Sequence, residues 1–190
     1  VEFWKRKFTV DLTISKAKPN AGHMIISELN HIGKVSKIIT QNIDNLHQIS
    51  GVPEENVIEL HGNTTFAKCL DCDLRYELNS IKKLFEQTNK PPYCKNCSGI
   101  IKTATISFGQ SMPKEEMLKA EKASLSCDLF IAIGSSLKVY PAASFPLVAK
   151  KNGSKLIILN REGTDLDKYA DLVIHDEIGE FLSKSIKLIS

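Results

Sequence analysis

The sequence predicts an α/β fold: a doubly wound parallel sheet into which a small cysteine-bearing lobe is inserted. Three observations predict it. Short apolar, β-branched runs alternate with segments of helical periodicity. One of those runs, Leu129–Ile133, is apolar throughout, the pattern of a strand covered on both faces. Residues 66–103 break the alternation with two Cys-x-x-Cys pairs and Pro91-Pro92.

In chain order, residues 1–32 are expected to be largely helical. Pro19-Asn20 opens a helix running to about Asn30, with Asn20 as its cap and Gly33 beyond its end. Ile25, Leu29 and Ile32 fall at i, i+4 and i+7 and give it one apolar face. Val35–Thr40 reads as a strand that stops at Gln41-Asn42-Ile43-Asp44. Inside the insertion, Ile81–Gln87 reads as a helix. Ile106-Ser107-Phe108 is a short strand candidate. Pro113 starts a helix with Lys114-Glu115-Glu116 in its first turn. Leu129–Ile133 runs into Gly134-Ser135-Ser136, and Ala142–Lys151 is the next helix. Leu156–Leu159 is a buried strand ending at Asn160-Arg161-Glu162. Leu172–Ile174 is the last strand, and Gly179–Ile189 looks helical. Residues 1–65 and 104–190 therefore read as the sheet domain and 66–103 as the inserted module.

The chain has 190 residues, enough for one core plus a small metal-stapled lobe. Lys and Arg number 25 against 22 Asp and Glu, and they are scattered, so no stripe for nucleic acid is present. No apolar run approaches the roughly 20 residues of a membrane span. The first residues, Val1–Lys7, are not followed by the apolar stretch of a signal peptide. They also lack an initiator Met, and the chain is expected to begin partway into a longer protein. Five cysteines, an odd count, argue against a disulfide framework and for the reducing cytoplasm.

Four of those cysteines carry the sharpest chemistry. Cys69-x2-Cys72 and Cys94-x2-Cys97 each place two thiolates within reach of one tetrahedral ion. Four sulfurs leave no open position, so a structural Zn2+ is expected. Unrelated thiols or a redox pair fit less well, because a redox Cys-x-x-Cys normally occurs once, at a helix start.

Three strand candidates end in small or polar residues: Gln41–Asp44, Gly134–Ser136 and Asn160–Glu162. In open α/β sheets ligands lie beyond the carboxyl ends of the strands, so a Rossmann-like sheet binding a nucleotide-type ligand is expected. Gly134 lets backbone approach a ligand, Ser135 and Ser136 offer hydroxyls to phosphate or ribose, and Asn160 and Glu162 suit ribose or adenine. A single polar strand end would carry little weight; three in one sheet carry more. Glu59-Leu60-His61-Gly62 precedes the cysteine insertion. His61 is suited to proton transfer near neutral pH, although a lone histidine is more often packed or exposed. His23, His31 and His175 take that plainer reading, and His47 is read as ordering the loop after Asp44.

Thr40–His47 (Thr-Gln-Asn-Ile-Asp-Asn-Leu-His), with Gly51 soon after, resembles the central signature of the sirtuins, NAD-dependent protein lysine deacylases. His61 falls where that family carries its catalytic histidine. The four cysteines, Phe108-Gly109, Gly134-Ser135-Ser136-Leu137 with Val139 and Pro141, and Asn160-Arg161-Glu162 follow in the family's order. Lys18-Pro19-Asn20 with His23 resembles the approach to the signature. The resemblance covers essentially the whole chain.

It implies a deacetylase that passes the acyl group from lysine to ADP-ribose and releases nicotinamide. His61, Asn42 and Asp44 would be the catalytic residues. NAD would be held by Gln41, Asn42, Ile43, Asp44, Gly134, Ser135, Ser136, Asn160, Arg161, Glu162 and Ile178. The acylated-lysine peptide would add as a strand between the lobes, at Ser107, Phe108, Gly109, Leu137 and Val139. No membrane or nucleic-acid partner and a monomeric state are expected. A non-catalytic acyl-peptide-binding module and a protein ADP-ribosyltransferase are the alternatives. The sequence departs from the family at Gln110, where an acidic residue is usual, and at Ser135, where Thr is commoner. It also lacks the Gly-Ala-Gly loop expected at the front. The Phe3–Phe8 stretch has no Tyr/Arg pair of the desuccinylating kind, which leaves acetyl as the expected acyl group.

Overall fold

The computed structural model describes residues 1–14, 16–107 and 109–186. Along the chain run α1 (Glu2–Ile14), α2 (Ala21–His31), β1 (Ile38–Thr40), α3 (Leu46–Ile49), β2 (Val57–Glu59), β3 (Gly62–Cys69), β4 (Arg75–Glu77) and α4 (Leu78–Thr88). They are followed by β5 (Ile101–Thr105), α5 (Lys114–Ser126), β6 (Leu129–Ile133), α6 (Phe145–Lys151), β7 (Lys155–Leu159), β8 (Leu172–Ile174) and α7 (Ile178–Ile186). The fold is α/β. The chain divides into two compact units: residues 1–18, 40–46 and 61–112 form the first, and residues 19–39, 47–60 and 113–190 the second.

The first unit is built on an antiparallel sheet in the order β4-β3-β5. Its core joins Trp4 of α1, Ala67 of β3, Leu78, Ile81 and Phe85 of α4, and Ile101 of β5 to the buried Cys69 and Cys94. The α4 residues recur at i, i+3 and i+7, so one face of that helix is apolar and turned inward. The helix stops at Asn89, whose left-handed φ of 49° suits an Asn cap. Trp4 is only 2% exposed and stacks on Phe8 with ring centroids 5.4 Å apart.

The second unit carries the parallel sheet β6-β7-β8, in which Ile133 pairs with Leu159 and Leu159 with Ile174. Helix α6 packs on β6 and β7 and on α5. The core beneath it holds Ala132, Ala143, Leu156, Ile158 and Leu166. The apolar run of β6 is covered on one face only: Ala132 is buried, whereas Leu129 and Ile131 are each 43% exposed. Helix α6 meets the Phe130/Ala132 side, and the Leu129/Ile131 side is the exposed one. Strands β1 and β2 form a separate two-stranded sheet.

Several boundaries differ from the sequence reading. Strand β1 begins at Ile38 rather than Val35, because Val35 donates its N–H to Leu29 and its carbonyl accepts from the Asn30 side chain. The strand expected at 106–108 lies earlier, at Ile101–Thr105. Ser107 instead enters a turn, its N–H donating to the Gln110 side chain and its carbonyl accepting from the Gln110 N–H. The helix expected from Ala142 starts as a 3-10 turn and becomes α-helical at Phe145, with Pro146 in its first turn, where a missing N–H costs no intrahelical bond. The C-terminal helix begins at Ile178, and its expected end at Ile189 lies outside the described residues. Strands β2, β3 and β4 have no counterpart in the reading. The Asn20 cap of α2 is reinforced by His23: Asn20 Oδ1 accepts from the His23 N–H, and the Asn20 N–H donates to His23 Nδ1.

Candidate active site and zinc centre

In the first unit the loop after β1 is shaped by its own side chains. Thr40 Oγ1 accepts from the Asn42 N–H at 3.0 Å, and Asp44 Oδ1 accepts from the Leu46 N–H at 3.0 Å, an Asx turn that starts α3. Alternate residues of the loop are tied to the start of β3. The Ile43 carbonyl accepts from the Thr64 N–H, and the Asn45 side chain accepts from Asn63 Nδ2 at 2.9 Å.

The third tie is the one with chemical content. His61 Nδ1 lies 3.0 Å from the Gln41 carbonyl oxygen. A carbonyl only accepts, so Nδ1 carries the proton and the neutral ring keeps its lone pair on Nε2. The His61 carbonyl accepts from the Ile106 N–H, and Gly62 pairs with Thr105 across the sheet. Gly62 has φ +74°, and a Cβ there would overlap the Ala104 carbonyl, so only glycine fits. Gln41, Ile43, Asp44 and His61 are half-buried and Asn42 is exposed. Ser107 and Gly109 also belong to this unit and are exposed. Phe108 lies outside the described residues.

The sulfurs of Cys69, Cys72, Cys94 and Cys97 all lie within 4.8 Å of one another. Cys69–Cys97 and Cys72–Cys94 approach to 3.4 and 3.6 Å. A tetrahedron with Zn–S of about 2.3 Å has edges of about 3.8 Å, so this cluster has the dimensions of a four-cysteine zinc site. The backbone forms two matching knuckles, with the Asp71 N–H donating to Cys69 Sγ and the Asn96 N–H to Cys94 Sγ. Donation from the Tyr76 hydroxyl, opposed by burial, holds the Cys94 thiol down at about 6. At Cys97 the Gly99 amide favours ionisation, but bonds to Cys69 and Cys72, burial and the bond to Cys94 together outweigh it and push that thiol up to about 12. A divalent cation is what lets four such crowded thiols ionise together. Tyr76 has no sequence signal of its own: it stands four residues beyond Cys72 and belongs to no ligand pattern.

In the second unit the ends of β6 and β7 lie side by side. The Gly134 N–H donates to the Leu159 carbonyl at 2.9 Å, and Gly134 has φ +62°. A Cβ on Gly134 would come within 2.8 Å of Ile178 Cδ1, so the exposed glycine forms a cradle beside Ile178 that a larger residue would fill. Ser135 Oγ accepts from the Leu137 N–H, and Ser136 is exposed. The Leu137 side chain is buried in the α6 core, which leaves its backbone as the part a peptide could meet; Val139 is exposed. Asn160 receives the His175 ring on its carbonyl at 2.9 Å and donates its own side chain to the Glu162 carbonyl at 2.7 Å. Arg161 pairs with Glu177 at 3.2 Å. The strap from β8 into α7 thus holds the β7 end, a role for His175 that the sequence did not suggest.

Comparison with known proteins adds the family. The Sir2 family model matches residues 2–141. An NAD-dependent protein deacetylase of Rhodopseudomonas palustris is 54% identical over 181 residues, covering 95% of this chain and 72% of the relative. One from Thermodesulfovibrio yellowstonii is 41% identical over 188 residues, covering 99% of this chain and 73% of the relative. Among solved structures, Sir2 bound to acetylated peptide superposes with a TM-score of 0.91 at 34% identity, over 98% of this chain and 77% of that one. A Sir2 complex with p53 peptide and NAD+ gives 0.85 at 36% identity, over 94% and 74%. This chain belongs to the Sir2 family, the sirtuins.

Proposed function

We propose that the protein is an NAD-dependent protein lysine deacetylase that transfers the acyl group from lysine to ADP-ribose. The reading is carried by the 54% identity to a named NAD-dependent protein deacetylase along 95% of the chain. The His61 geometry supports it. NAD+, as co-substrate, supplies an electrophilic ribose carbon and nicotinamide as leaving group. His61 receives the proton of a ribose hydroxyl on Nε2, the nitrogen that the Gln41 contact leaves basic. Asn42 and Asp44, with Gln41 and Ile43, position the nicotinamide half. Gly134, Ser135, Ser136, Asn160, Arg161, Glu162 and Ile178 take the adenosine half.

Ser107, Phe108, Gly109, Leu137 and Val139 are the proposed contacts of the acylated peptide. Acetyl is the proposed acyl group. Residues 1–65 and 104–190 are the proposed NAD-binding domain and 66–103 the zinc-binding module, whose closed set of four cysteines takes no chemical part. Five cysteines, an odd number with four of them gathered in one metal-type cluster, support a reducing, cytoplasmic setting.

The test is incubation with NAD+ and an acetyl-lysine peptide, followed by mass spectrometry. Deacetylated peptide, nicotinamide and O-acetyl-ADP-ribose are expected in equal amounts. ADP-ribosylated protein in place of O-acetyl-ADP-ribose would replace this reading with transferase activity. Peptide binding with no NAD+ consumption would replace it with a binding module.

A further inference from the structure

Tyr76 stands at the end of the antiparallel sheet of the first unit, with its ring packed against the core that holds Cys69 and Cys94. Its hydroxyl has two partners. The Lys95 N–H, in the second knuckle, donates to the phenol oxygen at 2.9 Å. The phenol oxygen in turn lies 3.1 Å from Cys94 Sγ. With a backbone N–H already occupying a lone pair, the hydroxyl hydrogen is directed elsewhere, and Cys94 sulfur is the acceptor in reach.

The contrast with the first knuckle sharpens the point. Cys69 and Cys94 each accept from the N–H two residues on, so the backbone treats them alike. Of the four clustered cysteines, Cys94 is the one that also faces a side-chain hydroxyl in the described contacts. A thiolate bound to zinc keeps lone pairs that accept such a bond, and O–H donation to charged sulfur is of the stronger, charge-assisted kind. It draws negative charge from the sulfur while fixing the direction in which Cys94 points.

We infer that Tyr76 is a positioning residue of the zinc centre, whose hydroxyl holds Cys94 as a zinc ligand through a chain running from the Lys95 amide to the phenol to the sulfur. The inference rests on the zinc reading of the four cysteines. Outer hydrogen bonds of this kind typically change metal affinity by about 10–100-fold. Tyr76 belongs to no ligand pattern, and the ring alone would account for its place in the core, so the hydroxyl is the part to test.

The experiment compares the wild type with Tyr76→Phe, which keeps the ring and removes the hydroxyl. Zinc release to excess chromogenic chelator is expected to be about 10–100-fold faster in the variant. After cobalt(II) substitution, the sulfur-to-metal charge-transfer band is expected at lower energy in the variant, because a thiolate stripped of a donor gives up its electron more readily. Replacing Tyr76 by 3-fluorotyrosine keeps the ring, the fold and both partners while making the hydroxyl a stronger donor; that band is expected to move to higher energy. Unchanged release and an unmoved band in Tyr76→Phe would overturn the inference. Should that variant not fold, an unmoved band in the fluorinated protein would overturn it. A wild type that takes up neither zinc nor cobalt would remove the zinc reading itself, and the role of Tyr76 with it, before any variant is made.

Discussion

His61 directs its Nδ1 at the backbone carbonyl of Gln41, 3.0 Å away. The contact comes from the loop after β1, so the segment proposed to hold the nicotinamide half also sets which nitrogen of the imidazole is basic. A base oriented in this way contributes about 10²–10⁴-fold to a rate. His61→Ala is therefore expected to lower kcat for nicotinamide release by that factor, with NAD+ affinity by calorimetry close to that of the wild type. Turnover within a few-fold of the wild type would remove His61 from the reaction.

The cysteine cluster and Trp4, the single tryptophan of the chain, share one core. Stripping the metal with a chelator, or replacing Cys97 with Ser, is expected to open that core and move tryptophan emission to the red. Metal content, near one zinc per chain in the wild type, should fall in step. Emission that stays blue in metal-free protein would show that the first unit folds without the ion.

Gly62 has no room for a side chain. Its φ of +74° alone costs an L-residue about 1–2 kcal/mol, and the overlap of a Cβ with the Ala104 carbonyl adds displacement of β5. Gly62→Ala is expected to destabilise the protein by more than about 2 kcal/mol in denaturant titrations. A change within about 0.5 kcal/mol, the range of an ordinary surface substitution, would show that β5 yields freely.

Asp171 ties β7 to β8. Its carboxylate meets Lys150 Nζ at 2.6 Å and accepts from the Leu156 N–H at 2.8 Å. Lys150 first, and then that amide, hold the carboxyl well below the usual range. Because the folded-state value lies under the unfolded one, near 3.9, this stabilisation is present above about pH 4 and is lost as pH falls further. Asp171→Asn should lower Tm at pH 7, and the gap to the wild type should close as the pH drops below about 4. A gap unchanged between pH 7 and pH 3 would detach the effect from the charge.

Much of this was legible in the sequence for specific reasons. The cysteines were visible because metal geometry fixes their spacing, and β6, β7 and β8 because each is written as an unbroken apolar run, although only β7 is largely buried. The Asn20 cap was visible because capping is local. Strands β2, β3 and β4 were not, since Gly62–Cys69 mixes Thr, Asn and Lys with few apolar residues and draws its stability from partners far along the chain. Ile106 seemed the better strand former, yet its N–H is taken by the His61 carbonyl and the pairing lies in the residues before it. Among the site residues, the residue types at the strand ends could be read. The tautomer of His61, the burial of the Leu137 side chain and the partners of Tyr76 and His175 could not, because each depends on a contact across the fold.

The two units are threaded through one another along the chain: six stretches alternate between them, so the backbone passes from one to the other five times. No single cut releases either unit as a continuous polypeptide. During synthesis the first unit waits for residue 112 before all its parts exist, while stretches of the second are already made and unpartnered. Its zinc knuckles, drawn from one continuous stretch, are the part able to form early, and closing them shortens the loops that the later pairings must bridge.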